Sequence, residues 1–135
     1  MDSNLRLFTS EQASETYGEF EKVLFPQMSD MFFLCTIVGY KNSPGKVPPN
    51  ITKRGREIHW SAFEDDIQKP FLKMIAVEAN DGFDILGKNP ASDSYDNFRD
   101  ILQAYAELGY TILNTEFGGK FTVDKLIELI IENLD

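Results

Sequence analysis

Asp30-Met-Phe-Phe-Leu-Cys-Thr-Ile-Val-Gly-Tyr40 decides how the chain is read. From Met31 to Val38 only Thr36 is polar, so the segment is apolar on nearly every side and belongs in a core. A run of this length also suits an interior strand, because periodicity alone does not separate the two. Ser29 offers a helix cap, Asp30 a negative charge for the positive helix end, and Gly39 a stop, so helix is preferred. Cys35 has no His, Lys or Arg within a helical turn to favour its thiolate. It reads as a packing residue rather than a reactive thiol.

The helix runs into Lys41-Asn-Ser-Pro-Gly-Lys-Val-Pro-Pro-Asn-Ile-Thr-Lys-Arg-Gly-Arg-Glu57, which the prolines and glycines predict to be one long loop. Loops of this length in compact domains are usually functional or disordered. No acidic residue lies between Met31 and Arg56, whereas Lys41, Lys46, Lys53, Arg54 and Arg56 all do, in a chain of net charge −9. The loop has a bland reading, a solvated linker whose cations offset acidic helices. Its functional reading is a binding surface. Lys53, Arg54 and Arg56 would recognise phosphate or carboxylate, because an arginine fork meets two oxygens at once. Lys46 adds charge, and Tyr40 and Trp60 at the edges would stack on a base or anchor a partner.

Outward from this centre the pattern is helical. Residues 1–8 form a lead-in, and Thr9 with Gln12 makes a capping box for a helix from Glu11 to about Val23. Ser61 with Glu64 makes another, opening a helix to about Glu78. There Phe63, Ile67, Phe71, Met74, Ile75 and Val77 turn to the core, and Pro70 kinks the helix. Asn80-Asp-Gly82 is a turn. The longest helix runs from about Tyr95 to Asn114, and Gly109 on or beside its apolar stripe implies close approach of another helix. A last helix over 123–134, capped by Thr122, has more apolar surface than one face needs, which suits either a homodimer or burial in the core. The expected fold is one all-α domain over residues 1–135, a bundle of five or six helices with residues 41–57 as a long cationic loop.

Composition excludes several classes. At 135 residues the chain is long enough to bury roughly 70% of its unfolded surface. It has no apolar run near the ~20 residues of a membrane span and no signal-peptide pattern, so a cytoplasmic location is the default. A pI near 4.5 opposes broad nonspecific binding to nucleic acid, while local contact through the loop is still allowed. Catalytic templates fail: one histidine, no Cys–His spacing, no phosphate-cradling glycine loop and no metal-ligand spacing. His59 reads as a packing or hydrogen-bonding residue rather than a general base. Glu64-Asp-Asp66 reads as cap and surface rather than metal site, since adjacent helical positions diverge. No cofactor, metal or catalytic residue is expected.

Four stretches together resemble a small bacterial family. They are the apolar helix ending in Gly39, the basic loop before Ile58-His-Trp60, the helix ending Ile75-Ala-Val-Glu-Ala79, and Gln103-Ala-Tyr-Ala-Glu-Leu-Gly-Tyr-Thr-Ile-Leu113. The family accompanies DNA phosphorothioation (Dnd-type) modification and restriction genes and related anti-phage defence. The similarity covers about residues 29–115. It implies a setting in phage defence and places no catalytic motif. The expected function is a non-catalytic accessory or regulatory protein that binds a protein partner, or nucleic acid, through the basic loop. The alternative is an acidic decoy that mimics DNA and blocks a DNA-binding enzyme. A small nuclease is the third reading.

Overall fold

A computed structural model describes residues 5–23, 28–80, 93–116 and 131–132. In chain order these form β1 (Arg6–Ser10), α1 (Glu11–Val23), α2 (Met28–Asn42), β2 (Arg54–His59), a short 3₁₀ turn (Trp60–Ala62), α3 (Gln68–Asn80) and α4 (Asp93–Glu116). The expected bundle of five or six helices is therefore corrected. Among the described residues there are four α-helices and a two-stranded antiparallel sheet, a mixed α/β arrangement. The predicted last helix, its dimer face and the Asn80–Gly82 turn fall wholly or largely outside the described residues.

The sheet draws on the two stretches read as lead-in and loop. Arg6 pairs with His59, Leu7 with Ile58 and Phe8 with Glu57, and an irregularity before Ser10 opposite Arg54 interrupts the ladder. Leu7, Thr9 and Ile58 are buried, while Arg6, Glu57 and His59 face water. Neither strand announces itself in sequence. Each has too few alternating apolar positions to outweigh a proline-, glycine- and arginine-rich context, and pairing is supplied by the partner strand.

The helix ends also shift. Ser10, not Thr9, caps α1, its Oγ accepting the Ala13 N–H at 3.0 Å. Ser29 does not cap α2; its hydroxyl donates to the Ala62 carbonyl at 3.2 Å. Gly39 does not stop α2, which continues to Asn42. Ahead of α3, the Glu64 carboxylate accepts the N–H groups of Asp66, of Ile67 at 2.6 Å and of Gln68 at 3.3 Å, and these contacts hold its pKa below the usual range. Pro70 then lies in the first turn of α3, where a missing N–H costs nothing, and it does not divide the helix.

The core lies between α2 and α4, with β1, Trp60, Phe63 and α3 closing it. The two helices meet backbone to backbone. A Cβ on Gly39 would lie 2.0 Å from the Tyr105 carbonyl oxygen, and one on Gly109 would lie 1.8 Å from the Cys35 carbonyl oxygen. Tyr17 from α1 enters the same region, fully buried beside Cys35. Burial pushes the Cys35 thiol up to about 12, against a hydrogen bond with Tyr17 that favours the thiolate. Three residues assigned to the core by their spacing are instead on the surface: Ile67 at 66%, Met74 at 55% and Phe71 at 37% exposure. Phe71 still sets its ring edge-on to Phe33.

Gly109→Ala is expected to cost roughly 3 kcal/mol in urea unfolding, because the obstructing atoms are backbone. Gly45→Ala, where the φ of 76° is unfavourable but nothing lies within 4 Å, should cost only about 1 kcal/mol. Equal costs would contradict the helix crossing described. Cys35 should resist iodoacetamide in the native protein and react fully once guanidinium unfolds it.

Candidate functional site

The basic segment is tied down through its own backbone. The Tyr105 hydroxyl donates to the Ser43 carbonyl at 2.9 Å, and Ser43 Oγ donates to the Lys46 carbonyl at 2.6 Å. Asn50 Oδ1 accepts the Ile51 N–H at 2.8 Å and lies 3.5 Å from the amide nitrogen of buried Gln103. Gln103 Oε1 in turn accepts the Phe8 N–H at 2.8 Å, joining α4 to β1. The Lys53 carbonyl accepts the Glu11 N–H at 3.1 Å. The Arg56 N–H reaches two hydroxyls, Ser14 at 2.9 Å and Thr9 at 3.1 Å. Gly55 permits this approach: a Cβ there would meet Ser14 Oγ at 2.0 Å and the Ser10 carbonyl at 2.5 Å. Its role is to seat β2 against the start of α1.

With the backbone held, the cationic side chains turn outward. Lys46, Lys53, Arg54 and Arg56 are all exposed. The Arg54 guanidinium lies over the Phe8 ring, 4.4 Å from its centroid, so a phenylalanine from β1 orients the cation while leaving its donors available. Arg56 Nη1 approaches Met28 Sδ at 3.4 Å. Glu57, the acid next to these cations, is engaged by Arg6 at 2.6 Å and lies 3.8 Å from His59 Nε2.

Lys53, Arg54 and Arg56 thus share one end of the sheet, and Lys46 lies farther back on the same segment. The two aromatic candidates sit elsewhere. Trp60 is 4% exposed, and its ring contacts Phe63 and Phe98, with Lys69 Nζ 5.9 Å from its centroid. It anchors the segment to the core and offers no stacking surface. Tyr40 is half-buried, edge-on to Tyr105 at 5.5 Å. A hydrogen bond to Glu78, helped by burial, pushes its pKa up to about 12. Phe8 went unrecognised in the sequence, because one ring in a five-residue strand gives no pattern until Arg54 is brought above it.

Beside Lys53 lies an open cleft of about 510 Å³, lined by Ser10, Glu11, Gln12, Glu15, Asn50, Ile51, Thr52, Lys53 and Glu107. Its three carboxylates outnumber its one cation. Glu107 is half-buried, and that burial raises its pKa above the usual carboxylate range, opposed by a hydrogen bond from Ser10. The acids of Glu64-Asp-Asp66 have separate partners, since Asp65 pairs with Lys69 at 2.5 Å while Glu64 holds backbone N–H groups. Among the described residues no three His, Cys, Asp or Glu side chains gather so as to hold a metal ion, and no helix is long and apolar enough to cross a membrane.

The raised Glu107 pKa sets a pH dependence. The folded protein holds this proton at a higher pH than the unfolded chain does, so stability rises as pH falls through the interval between the two values. Glu107→Gln removes the buried charge. It should raise the melting temperature near neutral pH and flatten the gain in stability that the native protein shows as pH falls toward the ordinary carboxylate range; an unchanged pH profile would contradict this.

No curated protein and no solved structure matches the chain. The model of one family, described as DNA sulphur modification system-associated protein 4, does match, over residues 11–134. The match agrees with the resemblance read from the apolar helix, the basic segment and the Gln103–Leu113 stretch. Covering nearly the whole chain, it establishes that this protein belongs to the family of DNA sulphur modification system-associated protein 4.

Proposed function

We propose that the protein is a non-catalytic accessory or regulatory component of a bacterial DNA sulphur-modification system and the anti-phage defence linked to it. It works in the cytoplasm by contact, with Lys53, Arg54 and Arg56 meeting an acidic surface of a protein partner. Family membership supports the setting. The observation that carries the contact reading is that these exposed cations share one end of the sheet. Their backbone is anchored by Ser10, Thr9, Ser14 and Glu11, so little conformational freedom is lost when they engage. Glu57, the acid that follows Arg56 in the strand, is already offset by Arg6.

The test is the K53E/R54E/R56E variant of the full chain, tagged in its native host, with the sulphur-modification proteins followed by co-purification. Affinity should fall at least about tenfold, or 1.4 kcal/mol, while the melting temperature moves by no more than about 4 °C. Unchanged recovery of the partner with the folded variant overturns the reading. If Glu11→Gln, Glu15→Gln and Glu107→Gln abolish recovery instead, the acidic cleft is the contact and the DNA-mimic reading replaces it.

A further inference from the structure

Among the described residues, the sheet leaves one edge open. Trp60 N–H donates to the Leu5 carbonyl at 2.9 Å, which makes Leu5 and Trp60 a hydrogen-bonded pair continuing the register of Arg6 with His59 and Leu7 with Ile58. In an antiparallel ladder such pairs alternate with pairs whose N–H and C=O groups point away from the partner strand. Arg6 with His59 and Phe8 with Glu57 are pairs of the second kind. Phe8 agrees: its N–H turns from β2 and reaches Gln103 on α4. On the other side, the N–H and C=O of Glu57 and His59 turn away from β1, and among the described residues nothing hydrogen-bonds to them. Both residues are exposed.

We propose that this outer edge of β2 is a strand-addition site for an extended, acidic segment of a partner protein. The proposal rests on the contact reading above and specifies how the partner is held. Main-chain hydrogen bonds to Glu57 and His59 would supply affinity, and side chains flanking the new strand would supply selectivity. Charge complementarity selects an acidic occupant. An added strand passes beside Arg56 and Arg54, with Lys53 at the end, and Arg6 already offsets the one acid on β2. A second copy of β2 is disfavoured, because antiparallel pairing through Glu57 and His59 would set Arg56 opposite Trp60 and Arg54 opposite Ala62, giving the arginines no carboxylate. The interrupted ladder between Phe8 and Ser10 limits the regular open edge to the Glu57–His59 end. The cations and the free main-chain groups therefore occupy consecutive parts of one strand.

The experiment titrates isotope-labelled full-length protein with a short peptide of alternating Glu and Val. Two companions are the same peptide N-methylated at every amide, which keeps its carboxylates, and a single-stranded oligonucleotide. The acidic peptide should shift the Glu57 and His59 amide resonances and slow their hydrogen exchange about tenfold or more. N-methylation should weaken binding at least about tenfold. No binding by the acidic peptide, equal binding by its methylated form, or displacement of the peptide by the oligonucleotide would each overturn the proposal. In the host, E57P and H59P remove the outward N–H groups, which β1 does not use. Loss of the partner from these folded variants supports strand addition. If they retain the partner while K53E/R54E/R56E loses it, the contact reading stands and strand addition falls; if all retain it, both fall.

Discussion

The structure depends on the contact between α2 and α4 at Gly39 and Gly109. Each glycine faces a carbonyl of the other helix at a distance no Cβ tolerates, so the helices lie closer than side chains would allow. Around that point pack Cys35, Tyr105 and Tyr110, and Tyr17 reaches in from α1. Because interiors are close-packed, moving either helix would open voids along this line. The crossing also sets where α2 ends. There Tyr40 rests edge-on against Tyr105, whose hydroxyl takes up the Ser43 carbonyl as the chain leaves the helix.

From that exit the basic segment is laid down by main-chain contacts. Gln103 and Asn50 meet near its middle, Glu11 holds Lys53, and the paired hydroxyls of Thr9 and Ser14 hold Arg56. Trp60 closes the path by entering the core against Phe63 and Phe98. Because the strand is held by its backbone, its cationic side chains lie at the surface. The result is an anchored cationic edge on a protein whose net charge is −9. The same arrangement places the acidic cleft around Glu11, Glu15 and Glu107 next to Lys53, so charges of opposite sign are separated across a short stretch of surface. Such separation orients an approaching partner more than it adds binding energy.

Much was legible from the chain alone. The capping and spacing of Glu11–Val23 give α1 its observed bounds, the apolar patterns mark α2 and α4, the surroundings of Cys35 put it in the core, and Gly109 beside an apolar stripe marks a close helix approach. The family relationship was also legible, in helix-packing patterns running from the apolar helix to Leu113. Local reasoning failed at positions where a group finds a distant partner. Gly39 resembles a helix stop but serves a crossing, and Ser29 resembles a cap but bonds to Ala62. Ile67, Phe71 and Met74 keep a helical apolar spacing yet lie on the surface.

The sequence by itself determined where α1, α2 and α4 lie, and it concentrated the cations between Lys41 and Arg56, because spacing, caps and charge are properties of neighbours along the chain. Only the tertiary structure decided that Arg6–Ser10 and Arg54–His59 are strands, since each acquires its hydrogen bonds from the other across nearly the length of α1, α2 and the basic segment. It likewise decided that Trp60 is buried too deeply to offer a stacking face, that Arg54 lies on Phe8, and that among the described residues the backbone of Glu57 and His59 is left facing outward. The physical reason is that a strand's identity resides in its pairing. An arginine- and glycine-rich segment becomes one only when a partner edge is brought to it.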